Sequence, residues 1–336
     1  MKSLYVVFPE PDKIEVREET VAAPGPDEVL CRAEKSLIST GTESFCLHGV
    51  FDPGTNWAAW VKYPFRPGYS MAARVVAPGK EVSALKEGDR VFVSTSHQQC
   101  FLVKAEAAIP IPDGLSDEEA PWATNAITTQ LAARRGQVQL GEVVGVVGVG
   151  MIGQLVMQYL LVAGARRALA IDPAQWRLGL ATAHGASDVL ATDANQAQAE
   201  IARLTGGRML DAVWDATGNP KALAGCVTLL HKLGRVVLVG DTPVPTQQPI
   251  GPGVVSNTIA ILGVHGAVYP PEYSFWTPWT RREMAEVFYD YLLQGRMRIS
   301  DLVTHRFSPA EAPRVYEALQ RDRPSYLGVI FDWGRV

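Results

Sequence analysis

The most specific chemistry in this sequence is carried by glycine. Residues Val143 to Gly153 read Val-Val-Gly-Val-Val-Gly-Val-Gly-Met-Ile-Gly, which sets Gly148, Gly150 and Gly153 in a Gly-x-Gly-x-x-Gly spacing behind a β-branched run. Such a run makes a buried strand, and the glycines make the tight turn from that strand into a helix. The first glycine permits the turn, the second lets backbone approach a pyrophosphate, and the third lets helix pack on strand. The helix N-terminus then offers free N–H groups and a partial positive charge to the phosphates. Gly148, Val149, Gly150, Met151, Ile152 and Gly153 are therefore the candidate phosphate-binding residues. Nineteen positions after Gly153 comes Asp172, closing the run Arg167-Ala-Leu-Ala-Ile-Asp172. This reads as a second strand ending in an acid, at the usual distance for gripping a ribose 2′-hydroxyl. Turn and acid together predict a dinucleotide site, with a nucleotide-free core of the same kind as the alternative. A carboxylate repels a 2′-phosphate, so Asp172 favours NAD(H). Arg177 lies five residues on and could accept that phosphate, which leaves NADP(H) possible.

The elements that must position this turn alternate. From about Pro121 the strands Val143–Val147, Ala168–Ile171, Ala212–Asp215, Val236–Val239 and Ile259–Gly263 are separated by segments of helical apolar spacing. Those segments are Gln154–Val162, Gln175–His184, Ala194–Leu204 and Pro220–Leu230. Strand and helix in alternation predict a doubly wound parallel sheet with right-handed crossovers. Ahead of it, about 120 residues read as short strands, among them Ser3–Phe8, Glu28–Lys35, Ala72–Ala77 and Arg90–Ser94. Pro24-Gly-Pro26, Pro78-Gly79 and Gly88-Asp89 punctuate them. After Gly266 come an aromatic stretch, helices around Arg281–Gln294 and Pro309–Leu319, and a closing strand, Gly328–Trp333. The expected organisation is an α/β dinucleotide-binding domain (121–265) inserted into a β-rich domain made from both chain ends (1–120 and 266–336).

Composition bounds the function classes. The 336 residues suffice for two domains, and 47% hydrophobic with 20% charged residues is ordinary for a soluble globular protein. A net charge of −4 gives no electrostatic reason to expect nucleic acid or an anionic membrane surface. The apolar run at the N-terminus is too short for a signal-peptide core, and no 18 apolar residues run uninterrupted. Cys31, Cys46, Cys100 and Cys226 are scattered, without a C-x-x-C pair or metal-ligand spacing. The expected compartment is the reduced cytoplasm.

The whole chain resembles the medium-chain dehydrogenase/reductase superfamily, through six segments in register. These are Pro24-Gly-Pro-Asp-Glu-Val29, Lys86-Glu-Gly-Asp-Arg-Val91, Gly148–Gly153, Asp172-Pro-Ala-Gln-Trp-Arg177, Asp215-Ala-Thr-Gly218 and Gly234-Arg-Val-Val-Leu-Val-Gly240. The resemblance implies a Rossmann domain inserted into a GroES-like catalytic domain, with Ala216 and Thr217 near the cofactor and a homodimer or homotetramer. Ile259–Gly263 would be a candidate pairing edge. The segment Leu37-Ile-Ser-Thr-Gly-Thr-Glu43, with Pro67-Gly-Tyr69, is also locally similar to a zinc-poor branch that includes the bacteriochlorophyllide hydroxyethyl dehydrogenase type.

Departures from the family pattern bear most on the chemistry. Zinc-dependent members carry a Cys-Gly-Thr-Asp segment and a Gly-His-Glu segment that supply zinc ligands. Here Thr40-Gly41-Thr42-Glu43 and Gly68-Tyr69-Ser70 stand at the matching places. Thr40 replaces the thiolate and Tyr69 the imidazole, and the third position, near Pro121-Trp122-Ala123, offers no ligand. The expectation is no zinc. A hydride transfer without a Lewis acid still needs a proton donor. Tyr69 is the first choice, its phenol donating to a substrate oxygen, with filling of the lost metal's space as the bland alternative. Thr40 and Thr42 could also bond a substrate oxygen, while Glu43 would pair with an arginine as the family's acid often does. The family's relay histidine would fall at Phe45. Of the six histidines, His48 and His97 are the stronger catalytic candidates, since His48 lies on a loop expected to face the site and His97 follows the Val91–Val93 strand, where the family's structural-zinc lobe is missing. His184 and His231 read as solvent-facing helix ends, His265 as closing the last sheet strand, and His305 as surface.

Two aromatic groups, Phe51, Trp57, Trp60, Tyr63, Phe65 and Tyr269, Tyr273, Phe275, Trp276, Trp279, read as loops lining a wide apolar pocket or an oligomer interface. The function expected is a zinc-independent NAD(H)-dependent oxidoreductase acting on a carbonyl or alcohol carbon of a small hydrophobic substrate. The alternatives are a C=C reductase of the enone or quinone type and a catalytically silent nucleotide-binding protein. Neither nucleic acid nor membrane is expected as a partner.

Overall fold

Antiparallel pairing builds the first part of the chain. The computed structural model describes residues 1–336, which divide into two units, one of 1–124, 285–293 and 299–336, the other of 125–284 and 294–298. In the first unit β1 (Lys2–Val7) and β2 (Glu15–Thr20) form a hairpin-like pair. The long β3 (Glu28–Ile38) then pairs with β4 (Met71–Pro78), which pairs in turn with β5 (Arg90–Val93). β6 (Cys100–Lys104) lies on β3, and β7 (Ile109–Pro110) on β5. Between β3 and β4 sit two short helices, α1 (Thr42–His48) and α2 (Asn56–Trp60). Alternating burial along β3 and β4 sends Val29, Cys31, Ala33, Met71, Ala73 and Val75 into one apolar cluster.

The second unit is wound in parallel. After α3 (Ala123–Arg135), whose helical run was not expected, come β8 (Val143–Val147), α4 (Met151–Val162), β9 (Arg167–Ile171), α5 (Gln175–Ala183) and β10 (Asp188–Leu190). α6 (Gln198–Leu204), β11 (Leu210–Asp215), α7 (Ala222–Thr228), β12 (Leu230–Leu238) and β13 (Ala260–Gly263) follow. The six strands run in the order β10-β9-β8-β11-β12-β13, all parallel. Every residue of β8 and β11 is buried, which is why these strands read as continuous apolar runs rather than alternating ones. The expected doubly wound sheet is thus present. The winding reverses beside β8, since the chain steps outward to β9 and β10 and then returns to β11 on the other side.

The chain re-enters the first unit within α8 (Arg281–Leu293). It then adds β14 (Val303–Phe307), α9 (Ala312–Asp322) and β15 (Gly328–Asp332), giving a sheet of order β14-β15-β3-β4-β5-β7. Residues 266–284, expected with the β-rich domain, cluster instead with the parallel unit. The contacts explain this. A Cβ on Gly266 would meet the Thr128 hydroxyl, the Arg134 guanidinium lies 3.3 Å over the Trp279 ring, and the Met284 carbonyl accepts from Gln130. No helix is long and apolar enough to cross a membrane.

Candidate functional site

The parallel unit carries the glycine turn at the C-terminal end of β8, where the winding reverses. Ligands of open parallel sheets sit at such points. Gly148 holds φ +81°, which a residue with a side chain seldom adopts. A Cβ on Gly153 would lie 1.9 Å from the Gly148 carbonyl oxygen, so α4 packs onto the turn only because Gly153 has none. α4 begins at Gly150 with no side-chain cap, leaving its first N–H groups available. Val149 and Met151 are buried and can contribute backbone only.

Asp172 closes the turn from the side. Its Oδ2 accepts from the Val149 N–H at 2.9 Å and its Oδ1 from the Ala174 N–H at 2.8 Å, so the acid braces the turn. Each oxygen keeps a second lone pair for a ribose hydroxyl. The Arg177 guanidinium comes within 3.9 Å of where a Gly150 side chain would begin, putting a cation beside the phosphate turn. Burial lowers its pKa, with Asp172 opposing. At the end of β11, Thr217 abuts Gly148 while its N–H and hydroxyl both donate to the buried Asp215, whose pKa burial raises. The Ala216 N–H donates to Val147 across the β8–β11 join. Turn, acid, arginine and free helix end fit a dinucleotide.

The antiparallel unit gathers the other candidates by register. Ser36 at the end of β3 pairs with Met71 at the start of β4, and the Leu37 N–H donates to the Ser70 carbonyl. The Ser39–Thr42 turn therefore lies beside Tyr69. Ser39 and Thr42 beside the Tyr69 phenol favour its ionised form, yet burial dominates and pushes its pKa up to about 12, with Glu43 and Cys46 adding to the rise. Tyr69 is thus a phenol that favours its protonated form, with hydroxyl side chains as neighbours. Thr40 is buried in the same turn, its carbonyl accepting from Ser44. The Ser70 hydroxyl donates to the Pro121 carbonyl and lies 2.8 Å from the Thr124 hydroxyl, which lies 3.2 Å from the Tyr69 carbonyl.

Behind this turn runs a polar chain that sequence reasoning missed. Trp333 Nε1 donates to Ser36 Oγ at 3.0 Å, Ser36 Oγ lies 2.8 Å from His97 Nδ1, and His97 Nε2 lies 3.1 Å from Glu43 Oε2. The Tyr316 hydroxyl donates to the same Oε2, and Glu43 Oε1 accepts from the Ser39 N–H at 2.7 Å. Because a carboxylate oxygen can only accept, His97 Nε2 is assigned as the donor to Glu43, which leaves Nδ1 to face the Ser36 hydroxyl. Burial and the neighbouring Glu43 raise the Tyr316 phenol well above its ordinary pKa. Ser36, His97 and Glu43 have the connectivity of a hydrolytic triad. However, Ser36 and His97 are wholly buried and Glu43 is 1% exposed, so no substrate reaches the hydroxyl. His97 is accordingly not a catalytic histidine, and Glu43 pairs with no arginine. Gly68 makes room for the imidazole: with φ +93°, a Cβ there would lie 2.7 Å from His97 Cδ2.

Other expected residues lie apart. His48 ends α1 on the surface and is tied to Asp12 at 2.8 Å, a basic residue at a helix C-terminus rather than a shuttle. His231 lies in β12 paired with Asp211, and His184 contacts Gln154 and Gln158, so neither is simply solvent-facing. In the first aromatic group Trp57 and Phe65 belong to the core, Phe51 and Tyr63 pack against it, and Trp60 is 43% exposed. Trp57 sits in α2, stacked on Phe51 and edge-on to Phe45, and both Trp57 and Phe65 are buried. Phe275 and Trp276 of the second group are 81% and 86% exposed.

At the places of two zinc ligands of zinc-dependent relatives stand hydroxyls rather than a thiolate and an imidazole. Nowhere do three histidine, cysteine or acidic side chains come together in a ligating group. Thr40 and Tyr69 offer a hydroxyl and a high-pKa phenol, and His97 and Glu43 are committed to each other.

Comparison with known proteins agrees with the fold. Residues 25–112 match the family described as alcohol dehydrogenase GroES-like domain, and residues 151–276 that described as zinc-binding dehydrogenase. The 2-desacetyl-2-hydroxyethyl bacteriochlorophyllide A dehydrogenase of Cereibacter sphaeroides is 25% identical over 354 residues, covering 99% of both chains. An Escherichia coli oxidoreductase/dehydrogenase of unknown specificity has a similar structure (TM-score 0.82, 19% identity, 99% of each chain). So does a Sinorhizobium meliloti 1021 protein described as a zinc-binding dehydrogenase, solved bound to NADP (TM-score 0.78, 19% identity, 99% of each chain). Matched over both its GroES-like and its dinucleotide-binding parts, the chain belongs to the medium-chain dehydrogenase/reductase superfamily.

Proposed function

We propose that this protein is a zinc-independent, NAD(H)-dependent oxidoreductase acting on a carbonyl or alcohol carbon of a hydrophobic substrate. The observation that carries the proposal is the Tyr69 phenol, placed beside the Ser39–Thr42 turn by the β3–β4 register, where zinc-dependent relatives would place a ligand. NAD(H), when bound, supplies the hydride donor or acceptor. The Gly148–Gly153 turn and the N-terminus of α4 hold the pyrophosphate, and Asp172 takes the adenosine ribose, which favours NAD(H) over NADP(H). Tyr69 donates a hydrogen bond and then its proton to the substrate oxygen and regains a proton from solvent, with the Ser39–Thr42 turn beside the phenol. A phenol held near pKa 12 is a donor at neutral pH and a poor base. Carbonyl reduction should therefore be flat in kcat between about pH 6 and 9, and alcohol oxidation should rise with pH over that range.

The test is a panel of secondary alcohols with NAD+ and a panel of enones with NADPH, followed through the absorbance of reduced nicotinamide. The expected result is alcohol-dependent NAD+ reduction that Tyr69→Phe lowers about 100-fold in kcat. Turnover confined to enones would replace the carbonyl reading with C=C reduction. Cofactor binding without turnover on either panel, or an unaffected Tyr69→Phe, would leave a silent nucleotide-binding protein.

A further inference from the structure

We propose that Glu43 is a positioning residue, fixed by His97 and Tyr316, that clamps the Ser39–Thr42 turn and so aligns the Tyr69 phenol. This rests on the reading of Tyr69 as proton donor. The clamp closes in both directions. Glu43 Oε1 accepts from the Ser39 N–H at 2.7 Å, and the Glu43 N–H donates to the Ser39 carbonyl at 2.9 Å. That fixes the backbone of a turn that the Leu37 N–H to Ser70 carbonyl bond holds beside Tyr69.

Glu43 Oε2 is fixed in turn by the Tyr316 hydroxyl, which reaches it from α9, and by His97 Nε2. His97 is oriented through Ser36 by the Trp333 indole, which follows β15. All three groups facing the carboxylate are donors, so only an acceptor on every side satisfies them. A deeply buried polar network of this kind adds little net stability over well-packed apolar side chains. What it supplies is a single geometry, and it reaches the Ser39–Thr42 turn through the Ser39 backbone. Glu43 and His97 reach no solvent, so they act through Tyr69 rather than on a substrate.

The experiment combines a spectroscopic and a kinetic reading of full-length protein. In protein carrying 13C-labelled tyrosine, Tyr69→Phe assigns the Tyr69 Cζ signal. Glu43→Gln, which sets an amide N–H among donors, is expected to shift or split that signal while leaving the Tyr159 signal of the other unit in place. On the best alcohol of the panel, Glu43→Gln should lower kcat about 10-fold or more, with KM and the NADH Kd changed less than about twofold. In a Tyr69→Phe background the same substitution should change kcat less than about twofold, because its route of action has gone. An unmoved Tyr69 signal, or losses that simply add, would overturn the proposal. If Glu43→Gln does not fold, Tyr316→Phe removes one donor to the carboxylate and carries both measurements with the same expectations. A wild-type kcat in Tyr69→Phe, or a silent panel, counts instead against the proposed function, and the labelled signal still decides the clamp.

Discussion

The two halves of the proposed chemistry are built from opposite materials. In the parallel unit the turn is made by backbone: three glycines, an uncapped helix end, and an acid that braces the Val149 N–H. In the antiparallel unit the backbone only brings β3 and β4 into register. The chemistry there is made by side chains whose partners stand tens to hundreds of residues apart. A backbone site tolerates no added atom but is indifferent to most neighbouring side chains. A side-chain site keeps its shape under small changes in volume and loses its function when one donor or acceptor is changed.

That contrast can be broken most directly at Gly153. Gly153→Ala puts a Cβ at 1.9 Å from the Gly148 oxygen, which must force the turn open. Saturable NADH binding, followed by nucleotide fluorescence, should be lost, whereas Tyr69→Phe should leave it within about twofold. Equal loss in both variants would erase the division of labour. A smaller effect is expected at Arg177, which stands with Asp172 as a side chain of the parallel unit asked to discriminate. Arg177→Ala should weaken NADPH binding about 10-fold and NADH binding less than about threefold, measured by titration of each. A larger loss for NADH would make the arginine a general phosphate anchor. The smallest effect is expected at Trp276, exposed and in contact with Phe275 alone among the rings. Trp276→Ser should change unfolding stability by less than about 0.5 kcal/mol in denaturant titration, and a larger change would place that loop in an interface.

The same contrast explains what the sequence disclosed. Gly148, Gly150, Gly153 and Asp172 were legible because their geometry is local and few residue types can adopt it. The parallel sheet was legible because Val143–Val147 and Leu210–Asp215 are buried on both faces. Glu43 was misread as an arginine partner because its true partners, His97 and Tyr316, are 54 and 273 residues away, and no spacing encodes them. His97 was read as a shuttle since a loop histidine ahead of a strand gives no sign of being walled in by Phe331 and Gly68. The helix α3 escaped notice because its core-facing residues are mainly Ala123, Ala126, Ala132 and Ala133, a weak apolar signal. Trp57 and Phe65 were assigned to a pocket because loop aromatics announce burial without saying against what.

The central claim is hydride transfer with the Tyr69 phenol, and no metal, at the substrate oxygen. The decisive measurement is turnover and zinc content on one preparation, before and after exhaustive chelation. The account predicts alcohol-dependent NAD+ reduction with substoichiometric zinc, unchanged by the chelator and lost about 100-fold in Tyr69→Phe. Activity that disappears on chelation and returns with added zinc would contradict it.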